Sequence, residues 1–134
     1  MANLRIIEMD HIVLNVADVE RSLLFYTEVL GLKGERIEEF RGAKVGFPSV
    51  RINGDTLIDL MKSPPSAQAP QETPNLNHFC LVAESLDLAH LAQSLRAKDV
   101  PIVREPVSRW GAHGQASSIY ILDPDGNEIE IRCY

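Results

Sequence analysis

The chain has 134 residues and a net charge of −6, and a chain of this length fits one domain with a sizeable core. The acidic balance and the lack of a basic cluster argue against binding to nucleic acid or to an anionic membrane. No apolar run has the length of a membrane span or a signal peptide, and two cysteines, Cys80 and Cys133, make no disulfide framework. We therefore expect a cytoplasmic protein with reduced thiols.

The first half of the chain, about residues 5–62, is predicted to contain four strands and one helix. Residues 9–16 alternate polar and apolar side chains, as a half-buried strand does. The helix that follows has a cap residue in Asp18 and a terminator in Gly31. Strand-like patterns return three times, around residues 32–40, 44–52 and 56–61.

The second half, about residues 76–134, is predicted to have the same order of elements. A strand over residues 76–83 precedes a helix that Ser85 caps, and a short strand over residues 100–104 follows. A glycine-containing flexible loop is expected at residues 109–115. The chain closes with a hairpin whose DPDGN turn joins residues 117–122 to residues 128–133. A proline-rich linker, residues 63–75, separates the halves within a single domain of residues 1–134.

The two halves repeat one pattern. DHIVLNVADV in the first half aligns with NHFCLVAESL in the second, and GDTLIDLM aligns with DGNEIEIR. An internal duplication constrains topology more strongly than any single strand prediction. We predict an α+β fold in which two βαβββ modules form curved mixed sheets around a metal-binding cleft.

Four polar residues take corresponding places in the two halves. His11 and His78 lie in the first predicted strand of each half, whereas Asp59 and Glu130 lie in the last. Alternation along a strand turns each of the four away from the apolar face that a helix would cover. Two imidazoles and two carboxylates suit one divalent ion such as Fe²⁺, Mn²⁺, Ni²⁺, Co²⁺ or Zn²⁺, and the pattern leaves the choice of metal open.

Other residues have weaker functional interpretations. Arg109 and Trp110, in the predicted loop, are candidate substrate contacts if the loop closes over an anion, although an ordinary surface loop explains them equally well. Cys80 shares the face of His78 and is expected to be a small buried hydrophobic residue rather than a thiolate ligand. Cys133 is expected to pack against a helix. Arg132, like Glu128, is expected near the rim of the sheet.

The chain resembles the vicinal oxygen chelate superfamily, which includes glyoxalase I, extradiol catechol dioxygenases, fosfomycin-resistance transferases and bleomycin-resistance proteins. The opening strand and helix of that family are similar to the segment DHIVLNVADVERSLLFYTEVLGLK. The closing hairpin of the family is similar to the segment SIYILDPDGNEIEI. The resemblance implies paired βαβββ modules, a homodimer, and metal ligands at His11, Asp59, His78 and Glu130. Glyoxalase-like members usually carry a longer carboxylate or an amide at the position of Asp59, which leaves open whether Asp59 is a ligand or supports one.

The resemblance implies a glyoxalase-I-like lyase or isomerase as the first functional hypothesis. The metal would polarise a carbonyl and stabilise an enediolate-like intermediate, while Glu130 or Asp59 shuttles a proton between adjacent carbons. The first alternative is an Fe(II) ring-cleaving dioxygenase that uses His11, His78 and Glu130 as a 2-His-1-carboxylate triad. The second alternative is a non-catalytic protein that binds a drug or a metabolite. Whether one chain or two chains supply a site also stays open.

Overall fold

The computed structural model describes residues 4–64, 76–84 and 87–134. The chain divides into two compact units, Met1–Ala69 and Pro70–Tyr134. Most of the predicted linker, residues 65–75, lies outside the described residues, and so does the predicted cap Ser85. No helix within the described ranges is long and apolar enough to cross a membrane.

The first unit contains one four-stranded mixed sheet and two short α-helices. The bounds are β1 (His11–Val16), α1 (Val19–Leu24), β2 (Lys33–Glu35), α2 (Ile37–Arg41), β3 (Ser49–Arg51) and β4 (Leu57–Lys62). The strands lie in the order β1-β4-β3-β2, and only the pair β1–β4 is parallel. A parallel first pair requires a crossover, and α1 provides it on one face of the sheet.

Helix α1 begins and ends as the sequence predicts. The Asp18 carboxylate accepts a hydrogen bond from the Arg21 N–H at 3.1 Å, which satisfies a free donor of the first turn. A π-helical turn, Phe25–Val29, prolongs the helix, and Gly31 ends it at a φ of +75°, which glycine adopts without strain. Val19, Leu23 and Tyr26 on this helical segment are buried together with Ile58 and Leu60 of β4, so the opposite face of the sheet is left for polar residues.

Two strand predictions in the first unit are wrong in part. The strand expected over residues 32–40 ends at Glu35, because Arg36 adopts the left-handed conformation with a φ of 58° and α2 follows. The strand expected over residues 44–52 is reduced to the three residues of β3. Pro48 immediately precedes it, and a proline has no N–H to donate to a strand ladder.

The second unit repeats the topology of the first. Its elements are β5 (Phe79–Val82), α3 (Leu88–Ala97), β6 (Ile102–Gly111), β7 (Gly114–Leu122) and β8 (Glu128–Cys133). The strands lie in the order β5-β8-β7-β6, and only the pair β5–β8 is parallel. The same strand order and the same single parallel pair confirm the predicted α+β fold of two βαβββ modules.

Two local predictions in the second unit are wrong. Residues 109–115 form no flexible loop, because β6 and β7 pair up to Gly111 and Gly114 at the tip of a long hairpin. The tight turn uses Gly114 at a φ of +98°. The cap of helix α3 is Asp87, two residues after the predicted position, and the Asp87 carboxylate accepts from the N–H groups of Ala89 and His90.

The predicted DPDGN turn between β7 and β8 is present. The Asp123 carboxylate accepts hydrogen bonds from the N–H groups of Asp125 and Asn127, at 2.9 and 2.8 Å. Gly126 adopts a φ of +81°, which the turn requires. These local bonds start β8 at Glu128 and so define which of its residues face each side of the sheet.

Candidate functional site

The first unit brings His11 and Asp59 together, and we call these two residues the first pair. Asp59 on β4 pairs in register with Val13 on β1, two residues after His11, so that the imidazole and the carboxylate share one face. His11 Nε2 lies 3.9 Å from Asp59 Oδ2. The Ser49 hydroxyl donates to Asp59 Oδ1 at 2.6 Å. Ser49 and Asp59 are buried, whereas the His11 side chain is 46% exposed.

The second unit brings His78 and Glu130 together in the same way, and we call them the second pair. Glu130 on β8 pairs in register with Cys80 on β5, two residues after His78. His78 Nε2 lies 3.1 Å from Glu130 Oε1, and the Ser118 hydroxyl donates to Glu130 Oε2 at 2.6 Å. His78 itself immediately precedes β5. The offset between histidine and carboxylate is thus identical in the two units.

Each pair offers one imidazole nitrogen and one carboxylate to a ligand. Nitrogen and oxygen donors of this kind suit borderline divalent metals, so the side chains present fit the ion that the sequence predicts. Within the described part of either unit, no group of three or more His, Cys, Asp or Glu side chains is placed to hold a metal ion. A single unit therefore supplies two of the four predicted ligands.

The environment of Glu130 favours its charged form. Burial raises the pKa of this carboxyl, but hydrogen bonds from Ser118 and Tyr120 and the charge of Arg132 lower it more. The net result is a pKa below the ordinary glutamic acid value. Glu130 is therefore ionised at neutral pH, as a metal ligand or a general base must be.

We expect Ser118→Ala to raise the pKa of Glu130, because it removes the strongest of the hydrogen bonds to the charged form. An NMR titration of the Glu130 side-chain carboxyl carbon measures this directly. Ser117→Ala is the matched control, since Ser117 is the exposed neighbour on the other face of β7. An unchanged pKa in a folded Ser118→Ala protein would contradict the assigned hydrogen bond.

The prediction that Arg132 lies near the rim of the sheet is wrong. Its side chain is buried, and 3% of the residue's surface is exposed. Its Nη2 donates to the Arg109 carbonyl at 2.5 Å, and its Nη1 lies 3.8 Å from Glu130 Oε2. The guanidinium also lies over the Tyr134 ring, 4.9 Å from the centroid. Among the described residues, its Nε has no hydrogen-bond partner. The prediction failed because the hairpin of β6 and β7 extends far enough to cover this side chain.

Tyr120 lies beside the second pair, and the sequence left the facing of its side chain undetermined. Its ring meets the His78 ring edge-on, with centroids 5.4 Å apart. Desolvation raises the pKa of its phenol, and so does the Glu130 carboxylate, whereas Arg109 lowers it. Arg109 on β6 pairs in register with Ala116 on β7, so its side chain lies on the face of the sheet that carries Tyr120 and Glu130. Tyr120 pairs in register with Glu130, a signal that only the register of β7 against β8 reveals.

The remaining predicted residues have more ordinary surroundings. Trp110 neighbours Arg109 on β6 and is 77% exposed. Cys80 is exposed, so its predicted burial is wrong, yet partial desolvation and the Glu130 charge raise the pKa of its thiol to about 11. A thiol with this pKa is protonated at neutral pH. Cys133 lines a cavity of about 410 Å³ beside Leu88, on the side of the sheet that α3 covers.

Comparisons with known proteins place these features in a family. The model of the Glyoxalase/Bleomycin resistance protein/Dioxygenase superfamily matches residues 8–131. Virulence protein STM3117 of Salmonella typhimurium is 36% identical over 126 residues, which cover 94% of this chain and 83% of that protein. Its crystal structure has a TM-score of 0.72 to this chain at 30% identity, and the match covers 98% of this chain and 99% of that one.

Two further relatives carry the names of enzymes. Lactoylglutathione lyase GLX1 of Arabidopsis thaliana is 29% identical over 126 residues, 90% of this chain but 42% of that protein. Glutathione transferase FosA of Serratia marcescens is 25% identical over 123 residues, 92% of this chain and 78% of that protein. The family model matches nearly the whole chain, and the fold agrees with that match. The chain therefore belongs to the glyoxalase/bleomycin resistance protein/dioxygenase superfamily, the vicinal oxygen chelate proteins.

Proposed function

We propose that the protein is a divalent-metal-dependent enzyme of the glyoxalase I type, which isomerises a small substrate with two neighbouring oxygens. The single observation that carries this proposal is the identical offset of the two His–carboxylate pairs in the duplicated modules. We assign His11, Asp59, His78 and Glu130 as ligands of one ion, which is Ni, Zn, Fe, Mn or Co. The names of the lyase and transferase relatives support an enzymatic role.

The ion would supply Lewis acidity to the two substrate oxygens. The protein then has to move a proton between adjacent substrate carbons, and Glu130 is the residue best placed for this. Its Oε2 is held by the Ser118 hydroxyl, while its Oε1 faces His78. A carboxylate with one anchored oxygen can take a proton on the other and return it with little reorganisation. Asp59 has the corresponding anchor in Ser49 and is the alternative proton carrier.

Substrate binding is assigned to Arg109 and Trp110. Arg109 lies on the same face of the sheet as Tyr120 and Glu130, so an anionic substrate group paired with Arg109 would lie on the side of the second pair. Trp110 is the next residue on β6, so its exposed side chain lies on the face of the strand opposite to Arg109, and its assignment rests only on its place near the end of the hairpin.

A second candidate function is an Fe(II) extradiol dioxygenase that uses His11, His78 and Glu130. The observation that favours it is the distance of 3.9 Å between His11 Nε2 and Asp59 Oδ2, against 3.1 Å between His78 Nε2 and Glu130 Oε1, because Asp59 is the carboxylate that lies farther from its histidine and is the one that such a triad leaves out. Such a protein would keep three ligands and open positions for a catechol and oxygen.

The test begins with elemental analysis of protein purified without added metal and then loaded with each of the five ions. We expect one ion per site, and we expect His11→Ala and His78→Ala each to abolish stoichiometric binding. His90→Ala is the control, since His90 is an exposed histidine on α3. If the wild type binds no stoichiometric metal, or if the His11 and His78 variants leave its metal content unchanged, the result would contradict a metal-dependent enzyme. It would favour a non-catalytic binding protein.

Turnover assays on the loaded protein then separate the two enzyme classes. The glyoxalase type predicts isomerisation of a methylglyoxal–thiol adduct, whereas the dioxygenase predicts oxygen uptake with a catechol.

Sedimentation velocity on the same samples tests the proposed homodimer, in which two copies cover the edge strands of their sheets. Mixing His11→Ala with His78→Ala restores a site only if one site takes its ligands from two chains. A cytoplasmic location stays a prediction.

A further inference from the structure

In both units, the residue directly before the histidine holds its ring. Asp10 Oδ2 lies 2.6 Å from Nδ1 of His11, and Asn77 Oδ1 lies 2.6 Å from Nδ1 of His78. The sequence shows the pattern as DHIV and NHFC. We propose that Asp10 is a positioning residue that holds His11 in the tautomer able to bind a metal, and that Asn77 does this more weakly for His78. This inference rests on the proposed function, in which both histidines are ligands.

For a neutral ring, the chemistry of the Asp10 contact allows one arrangement. A neutral imidazole has one N–H donor and one nitrogen with a free lone pair, and a carboxylate can only accept. Nδ1 of His11 therefore carries the proton and donates to Asp10. The lone pair then lies on Nε2, which faces Asp59 Oδ2 at 3.9 Å, a distance too long for a hydrogen bond. His11 thus presents a lone pair, as a metal ligand requires.

The contact of His78 is weaker for two reasons. Its Nδ1 partner is a neutral amide oxygen, and hydrogen bonds to charged acceptors are about twice as strong as neutral ones. Its Nε2 also lies 3.1 Å from the Glu130 carboxylate, and a neutral ring can donate to only one of these two acceptors. Asn77 therefore competes with Glu130, whereas Asp10 has no comparable competitor at the other nitrogen of its ring. The two histidines are expected to depend unequally on their preceding residues.

The first arm of the test needs no metal. Nitrogen-15 NMR of the metal-free protein, at a pH well above the imidazole pKa, reports which ring nitrogen of His11 carries the proton. We expect the Nδ1–H tautomer in the wild type and in Asp10→Asn, whose amide oxygen still accepts. Asp10→Ala should shift His11 toward the Nε2–H tautomer that a free side chain favours. Glu8→Ala, which removes another exposed acid near the same strand, is the control and should change nothing. An unchanged tautomer in Asp10→Ala overturns the inference.

The second arm measures metal affinity by competition with a chelator. Asp10→Ala should weaken binding by about 10- to 100-fold, the usual effect of removing a group that orients a ligand. Asp10→Asn should bind the metal more tightly than Asp10→Ala does, because its amide oxygen still accepts. Asn77→Ala should weaken metal binding less than Asp10→Ala does. Equal affinity in the wild type and Asp10→Ala overturns the positioning role while the metal site stands. A wild type that binds no metal overturns the proposed function, and the tautomer of His11 still decides whether Asp10 holds the ring.

Discussion

Glu130→Gln is expected to lower kcat/KM by about 10²- to 10⁴-fold, the usual contribution of a general base. Glutamine has the size of glutamate but cannot ionise, so it cannot take up the substrate proton. It also places an amide next to the Ser118 hydroxyl and the His78 ring, where the structure has a carboxylate. Initial rates at saturating metal measure the effect on proton transfer separately from the expected loss of metal affinity.

The matched control for this experiment is Glu128→Gln. Glu128 lies on the same strand and the same face as Glu130, two residues earlier, but is only partly buried and belongs to neither His–carboxylate pair. Its replacement should leave both turnover and metal affinity within about 2-fold of the wild-type values, because surface substitutions away from a site generally have small effects. Full turnover by Glu130→Gln at saturating metal would exclude Glu130 as the proton carrier, and Asp59→Asn would then be expected to abolish the reaction.

Gly111→Ala is expected to lower the free energy of unfolding by about 1–3 kcal/mol, the usual cost of overpacking. A Cβ at position 111 would lie 1.6 Å from Arg132 Nη1 and 2.7 Å from the Tyr134 hydroxyl. Arg132 has little freedom to move, because it is buried and donates to the Arg109 carbonyl. Any shift would also separate its charge from Glu130. Urea denaturation followed by circular dichroism measures the change.

Two comparisons identify the cause of that loss. Gly54→Ala is the control, because a Cβ at Gly54 meets no atom within 4 Å and its φ is compatible with alanine. In an Arg132→Ala background, Gly111→Ala should cost much less, since the main clashing group is gone. An equal cost in both backgrounds would mean that the steric contact with Arg132 is not the reason.

The sequence by itself determined the features that depend on local periodicity and on duplication. Alternation along β1 and β8 predicted the faces on which His11 and Glu130 lie, because side chains change sides at every residue of a strand. The cap at Asp18 and the DPDGN turn are bonds between near neighbours, and both are present. The repeated order of elements predicted the fold, since two modules with the same pattern form the same sheet.

Only the tertiary structure decided the features that depend on partners distant in the chain. Ser49 holds Asp59, and Ser118 holds Glu130, because strand register brings together residues at least ten positions apart. The burial of Arg132 depends on how far the hairpin of β6 and β7 extends, and glycines in its sequence indicated a loop instead. Local patterns report which way a side chain points. The neighbour that it meets there is set by strand pairing, which is a property of the folded chain.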